Sequence, residues 1–161
     1  MGNIDSRSKY QHGYLMLQTA QPFYYPGQVV QGTVYLRCTS PVDVTHIDLE
    51  VKGDEKASFV DRVHRDNEWH DEKRKTKKTL MHFHHPCFTF AVPTLMPGDY
   101  AIPFSFTLPS GIASSLLYKN KGIAAKPMAK VKYTIGASLK GHHNKVHMKY
   151  KQVLMIREAG V

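Results

Sequence analysis

The fold is decided by the stretch Lys130-Val-Lys-Tyr-Thr-Ile-Gly-Ala-Ser-Leu-Lys140. Every second residue is apolar, and the residues between them are Lys, Thr, Gly or Ser. Since successive side chains of a β-strand point to opposite faces, this alternation predicts a strand with one buried and one solvent-facing side. A second strand is predicted downstream, with Val146, Met148 and Tyr150 inward. Gly141-His-His-Asn144 predicts the turn between them, so the lysines of both strands are expected on one face.

The same alternation recurs upstream, between residues that favour turns. In His46–Lys52 the apolar residues are expected to point inward and Asp48 and Glu50 outward. Pro103 predicts that its strand lies at a sheet edge or is bulged, because proline cannot donate a ladder hydrogen bond. The other predicted extended segments are Tyr14–Thr19, Val29–Cys38, Ala57–Val63, Leu80–Ala91 and Tyr100–Leu108.

Two further segments are predicted to lie outside regular strands. Gly53-Asp54 carries turn chemistry and is expected to end the strand that begins at His46. Residues His64 to Thr79 are dominated by charge and include the run Lys73-Arg-Lys-Thr-Lys-Lys78, which favours a solvated, mobile loop or hairpin tip.

Together these segments predict an all-β fold, an antiparallel, immunoglobulin-like β-sandwich of seven or eight short strands. A chain of 161 residues with 42% hydrophobic residues can bury one sizeable core without disulfides or a structural metal. We expect a flexible N-terminal segment over residues 1–11 and a single sandwich domain over residues 12–161.

The charge of the chain is unevenly distributed. Residues 1–99 contain 12 basic and 12 acidic side chains, whereas residues 100–161 contain 10 basic side chains and one acidic one. This asymmetry favours contact with a polyanion, which could be phospholipid headgroups, a phosphorylated tail or nucleic acid. A solvated face that keeps the protein soluble is the simpler alternative.

Four stretches, taken in order, resemble the N-terminal domain of the arrestin superfamily, with a pattern closest to the alpha-arrestins. They are Tyr25–Leu36, which contains Pro-Gly-Gln-Val-Val-Gln-Gly, then Val44–Gly53, Leu95–Gly111 and Ala129–Leu139. The resemblance implies a non-enzymatic adaptor that binds membrane-protein cargo or receptors in trafficking or signalling. Two family features are missing from the sequence: paired lysines on the first strand, Tyr14–Thr19, and a Pro-Pro-x-Tyr motif.

The first six residues, Met1-Gly-Asn-Ile-Asp-Ser6, match the N-myristoylation pattern, with Gly2 as the acceptor. One myristoyl chain gives only marginal attachment, so a second contact with an anionic membrane is expected. The predicted lysine face could supply it through Lys130, Lys132, Lys140, Lys145, Lys149 and Lys151. The N-terminus has no apolar core of a signal peptide, and no stretch is long and apolar enough to span a bilayer. The predicted location is therefore cytoplasmic and peripheral to the membrane.

The sequence favours neither a metal site nor catalysis. His82, His84, His85 and Cys87 form the densest cluster of ligand-type residues, but no C-x₂-C pair accompanies them, and His84 and His85 would point oppositely on a strand. Nucleophile-elbow, P-loop and zinc-protease motifs are absent. We therefore predict no cofactor, no metal and no enzymatic activity.

Three alternative functions remain open. They are an anionic-lipid binding module, a nucleic-acid binding module and a structural subunit of a retromer-type sorting coat. Nucleic acid is the less favoured ligand, because Tyr133 and Tyr150 alternate onto the face opposite the lysines and are expected in the core rather than as stacking platforms.

Overall fold

The computed structural model describes residues 9–159, and β-strands account for most of that range. A short 3₁₀ turn, His142–Asn144, connects the last two strands. The strands are β1 Lys9–Tyr10, β2 Gly13–Thr19, β3 Val29–Cys38, β4 Val42–Asp43, β5 His46–Arg65, β6 Glu68–Thr89, β7 Thr94–Leu95, β8 Gly98–Thr107, β9 Leu116–Lys119, β10 Met128–Lys140 and β11 Val146–Leu154.

The strands form two main antiparallel sheets. The small sheet has the order β1-β2-β3-β8, and the large sheet has the order β11-β10-β5-β6, with β9 beside β11 on the same edge of β10. A separate pair, β4 and β7, lies outside both. Phe83 on β6 and Phe106 on β8 meet edge to face across the layers, with ring centroids 5.6 Å apart. The predicted antiparallel β-sandwich is confirmed.

Along β10, buried and less buried side chains alternate as the sequence predicts. The five apolar residues of β10 from Val131 to Leu139 are all buried, whereas Lys132 between them is exposed. In β3 the alternate residues Val30, Val34 and Leu36 are likewise buried. Burial of these side chains between two sheets supplies the main driving force for the fold, at about 25 cal/mol per Å² of apolar surface removed from water.

The central part of the chain differs from the prediction. Gly53-Asp54 does not end a strand, and residues 64–79 do not form a loop: β5 runs without interruption to Arg65 and pairs with β6 along its length. The turn between them consists of Asp66 and Asn67, whose φ values are 51° and 61°. Asn and Asp tolerate positive φ, and two such residues make the tight turn whose twist suits a hairpin.

This long hairpin projects as an arm, which we define as residues 59–79. No residue of the arm is buried, whereas the inward-facing residues at the sandwich end of the same two strands are buried; they include Ile47, Leu49, Val51, Gly53 and Met81. A run dominated by charge, without apolar residues, is typical of a loop. A strand exposed to solvent on both faces needs no apolar side chains when hydrogen bonds to the neighbouring strand satisfy its backbone N–H and C=O groups.

Close packing against Tyr133 explains why a glycine, Gly53, lies in the interior of β5. It pairs directly with Tyr133 on β10, and a Cβ atom at this position would overlap the Tyr133 ring. The Tyr133 hydroxyl donates a 2.6 Å hydrogen bond to the Ala113 carbonyl. The ladder shifts register next to Gly53, where β6 contributes one extra residue. Glycine therefore marks a close aromatic contact and a bulge here, not a turn.

Two side chains, Val146 and His147, differ from the predicted inward or outward pattern, and Asp48 follows the pattern although it is nearly buried. Asp48 lies on the outer face but is only 8% exposed, because His84 covers it. A bulge between Leu139 and Lys140 shifts the pairing at the start of β11. Val146, expected inward, is consequently exposed, and the side chain of His147, expected outward, is 6% exposed.

The prediction for Pro103 is confirmed. It lies in β8, which pairs with β3 and forms one edge of the small sheet. Its missing N–H therefore removes no ladder bond from the interior of the sheet. At the opposite edge, β1 covers only the first two residues of β2.

Candidate functional site

The outer face of the large sheet, which points away from the core, brings together lysines from three strands. Cross-strand pairing places Lys56 of β5 opposite both Lys77 of β6 and Lys130 of β10. Directly paired side chains lie on the same face of a sheet, with Cβ atoms about 5 Å apart. These three lysines therefore form one row across the strands.

Three adjoining depressions extend this row in both directions. The first contains Lys52, Lys132 and Lys151, the second contains Lys73, Lys75 and Lys77, and Lys56 lines both. The third lies beside the segment that follows β9 and shares Lys73 and Met128 with the second. We call the lysines that line the three depressions the lysine surface: Lys52, Lys56, Lys73, Lys75, Lys77, Lys119, Lys121, Lys126, Lys130, Lys132 and Lys151.

Strand alternation divides the charged run between the two faces of the arm. Lys73 and its neighbours at positions 75 and 77 point to the lysine surface, whereas Arg74 points to the other face. On that other face the charges are paired, with Arg65 at 2.8 Å and Arg74 at 3.1 Å from Glu72 carboxylate oxygens. The run therefore contributes three of its lysines to the lysine surface.

The lysine surface contains few compensating carboxylates. Among residues 9–159, Lys52 is its one member in an ion pair, with Nζ 3.8 Å from an oxygen of Asp54. Eleven cations facing one such partner create a strong positive potential that attracts multivalent anions. Trp69 is 60% exposed near the end of the arm, with the guanidinium of Arg62 5.4 Å from its ring centroid.

The structure groups only part of the lysine set predicted from the sequence. Lys130, Lys132 and Lys151 line the same depression. Lys140 is ten residues from Lys130 along β10, a span of about 33 Å, and its Nζ lies 3.9 Å from Asp48. The two remaining predicted lysines line none of the three depressions; they are Lys145 and Lys149.

Sequence reasoning missed the lysines contributed by β5, β6, β9 and the segment after β9. The lysines at 73, 75 and 77 recur at every second position, a period that signals one face of a strand, but the absence of apolar residues around them concealed it. Gly2, the predicted lipid acceptor, lies outside the described residues.

The predicted histidine cluster divides between the two faces of β6. His82 and His84 lie together on the outer face with Glu50 of β5. His85 pairs with the buried Leu49, and Cys87 packs against the core. Burial raises the pKa of the Cys87 thiol to about 11, so it stays protonated at neutral pH and is a poor metal ligand and nucleophile.

The architecture defines an all-β sandwich domain with a cationic face, and the comparisons with known proteins identify its family. The family model for the arrestin (or S-antigen) N-terminal domain matches residues 15–159. The chain therefore belongs to the arrestin N-terminal domain family. This membership supports a general role as an arrestin-like adaptor, since proteins of the family are generally non-enzymatic adaptors.

Two known proteins are similar to the chain. The chain is 26% identical over 163 residues to arrestin domain-containing protein A of Dictyostelium discoideum, a match that covers 96% of this chain and 27% of the relative. The crystal structure of the sporulation control protein Spo0M from Bacillus subtilis aligns with 91% of this chain and 49% of its own, at 19% identity and a TM-score of 0.49. The chain thus spans about a quarter of the length of the Dictyostelium relative.

Within residues 9–159 the secondary structure includes no helix with the length and apolar character needed to span a bilayer.

Proposed function

We propose that this domain is a membrane-docking adaptor whose lysine surface binds anionic lipid headgroups while another part of the sandwich holds membrane-protein cargo. The observation that carries the proposal is the lysine surface itself, whose eleven lysines have one ion-paired carboxylate among the residues that the structure describes. Each basic residue near an anionic leaflet contributes about 1 kcal/mol. A few simultaneous contacts are therefore enough for stable residence at a membrane.

The shape of the face supports a membrane as the polyanion. The lysine surface follows one side of the hairpin from the sandwich onto the arm, so many lysines can meet an extended surface at once. Trp69 lies on the same side of the arm as Lys73, since both positions are odd-numbered on β6. An exposed indole favours the boundary between headgroups and acyl chains.

Removing one row of the lysine surface should release the domain from anionic vesicles. Replacing Lys56, Lys77 and Lys130 by Gln removes about 3 kcal/mol of attraction, so binding should weaken about 100-fold. The matched control replaces Lys78, Lys145 and Lys149 by Gln. It removes the same number of positive charges, but from lysines that line none of the three depressions. Co-sedimentation with phosphatidylserine-containing and neutral vesicles at several salt concentrations measures the binding of both triple variants.

The two triple variants also separate the proposal from its alternatives. Equal losses in both would show that net charge, rather than the lysine surface, determines binding. Binding that is insensitive to salt would exclude the electrostatic mechanism. A single-stranded oligonucleotide that binds more tightly than anionic vesicles, and whose binding falls in the same variant, would favour a nucleic-acid module instead.

A myristoyl group on Gly2 is the second part of the proposed attachment. We expect Gly2→Ala protein, produced in cells with an active N-myristoyltransferase, to lose the vesicle binding that persists at high salt while keeping the salt-sensitive part. Intact-mass measurement of both proteins reports whether the lipid is present. Equal partitioning of the acylated and Gly2→Ala forms would exclude the lipid contribution.

For cargo, the edge strand β8 is the proposed contact. A strand at a sheet edge has unpaired backbone groups that an extended peptide can use to add a strand. Within residues 9–159, β1 pairs with two residues of β2, and the rest of that edge offers the same chemistry. Affinity purification from the native cell separates a transient adaptor from a subunit of a sorting coat: a stable partner in stoichiometric amount would favour the coat subunit.

A further inference from the structure

The histidine cluster on the outer face of the large sheet has the ligand types and spacing of a metal site. His82 and His84 are two residues apart on β6, and Glu50 lies directly opposite His84 on β5. The Nε2 atoms of His82 and His84 are 3.5 Å and 3.3 Å from the same oxygen, Oε2 of Glu50. One ligand atom from each residue can be chosen so that all three lie within 4.8 Å of one another.

These separations match the edges of a coordination tetrahedron. Zinc bonds to nitrogen and oxygen measure about 2.0–2.2 Å, and at tetrahedral angles such bonds place neighbouring ligand atoms about 3.4 Å apart. Both nitrogen-to-oxygen distances are within about 0.1 Å of that value. The two imidazole rings have centroids 5.4 Å apart and are tilted by 48°. Small rotations of these half-exposed rings are enough to direct both Nε2 lone pairs at one ion.

Asp48 orients one of the ligands. Its Oδ2 lies 2.7 Å from Nδ1 of His84, and the residue is 8% exposed. A carboxylate at this position accepts the Nδ1–H hydrogen bond, which leaves Nε2 of the neutral ring unprotonated and facing Glu50. Metal-ligating histidines almost always have such a partner.

We propose that Glu50, His82 and His84 bind Zn²⁺, with Asp48 as a positioning residue for His84. Two imidazoles and one carboxylate are a donor set that zinc accepts, and three protein ligands leave a fourth position for water or an exogenous ligand. The three side chains are 43–51% exposed, so the ion exchanges with solvent. Because the ligands come from two paired strands, bound zinc cross-links β5 to β6.

The direct test is calorimetric titration of the full-length protein with ZnCl₂ at neutral pH. We expect one high-affinity site per chain and a rise in the thermal unfolding midpoint on adding zinc, since an ion that binds the folded state stabilises it. Titration with Co²⁺ should give the visible absorption of a tetrahedral complex, which is much stronger than that of the aqueous ion. The absorption reports coordination geometry independently of affinity.

Variants locate the site on the chain. Glu50→Gln and His82→Ala should each weaken zinc binding at least 10-fold and abolish the Co²⁺ spectrum, and Asp48→Asn should weaken zinc binding 10- to 100-fold. His70→Ala is the matched control, because it removes an exposed histidine of the same strand outside the cluster. Circular dichroism without metal confirms that each variant is folded.

Two results would overturn the proposal. One is the absence of stoichiometric zinc binding in the unmodified protein, in which case the cluster is only a set of hydrogen bonds and ion pairs around His84. The other is zinc binding that survives in Glu50→Gln and His82→Ala but is lost when His142 and His143, the adjacent pair before β11, are replaced by Ala.

Discussion

Replacing Ile135 by Ala is expected to lower the free energy of unfolding by about 3–4 kcal/mol. Ile135 is completely buried at the centre of β10, where β5 and β11 pair with it from both sides. Truncating a buried isoleucine removes its transfer free energy and leaves a cavity that paired strands cannot easily close. Domains of this size are stable by about 5–15 kcal/mol, so the loss is a large fraction of the total.

Thr134→Ala is the matched control for this prediction. It is the adjacent residue on the same strand, but its side chain faces outward between Lys52 and Val153. Thr134→Ala should lower the free energy of unfolding by less than about 1 kcal/mol. Urea denaturation followed by fluorescence or circular dichroism measures both changes. Comparable destabilisation by the two variants would contradict the inward–outward assignment on which the sandwich rests.

Gly53→Ala is expected to be nearly as damaging, although it adds a single methyl group. The new Cβ would overlap ring carbons of Tyr133, so the ring must move and weaken the hydrogen bond from its hydroxyl to Ala113. Overpacking of a core costs about 1–3 kcal/mol, and a lost buried hydrogen bond costs about 1 kcal/mol more. We therefore expect a total cost of about 3 kcal/mol.

A double-mutant cycle isolates the cause. In a Tyr133→Val background, which lacks the ring, Gly53→Ala should cost less than about 1 kcal/mol, because the atoms that clash are gone. The four proteins are compared by urea denaturation in a fixed concentration of sucrose, which keeps the weaker variants folded. Additive costs would show that Gly53 is needed for its backbone conformation rather than for the Tyr133 contact.

Most of the sandwich could be predicted because its strands each bury one face. Where apolar residues recur at every second position, as in Val131–Leu139 and Val30–Leu36, the sequence specifies both the strand and its orientation. The arm could not be predicted in this way. Its strands are exposed on both faces, so their pairing is directed by Asp66 and Asn67 at the turn and by the ladder itself.

The candidate sites depended still more on the tertiary structure. The sequence suggested a cationic face from β10 and β11, but only Lys130, Lys132 and Lys151 of that set line the depressions of the lysine surface. The histidines of β6 are visible as ligand-type residues in the sequence. Their partner Glu50 lies 32 positions before His82 in the chain, so only strand pairing brings it to them.

By itself, the order of residues determined the sandwich strands that bury one face and, for most of their side chains, which face is buried, because this alternation depends on neighbours one or two positions apart. The order of four stretches along the chain determined which family it resembles. The tertiary structure alone decided that Gly53 lies under an aromatic ring, that Lys56, Lys77 and Lys130 share a row, and that a glutamate from β5 meets two histidines of β6. The physical reason is that pairing register between distant strands is set by the packing of the whole core and by bulges.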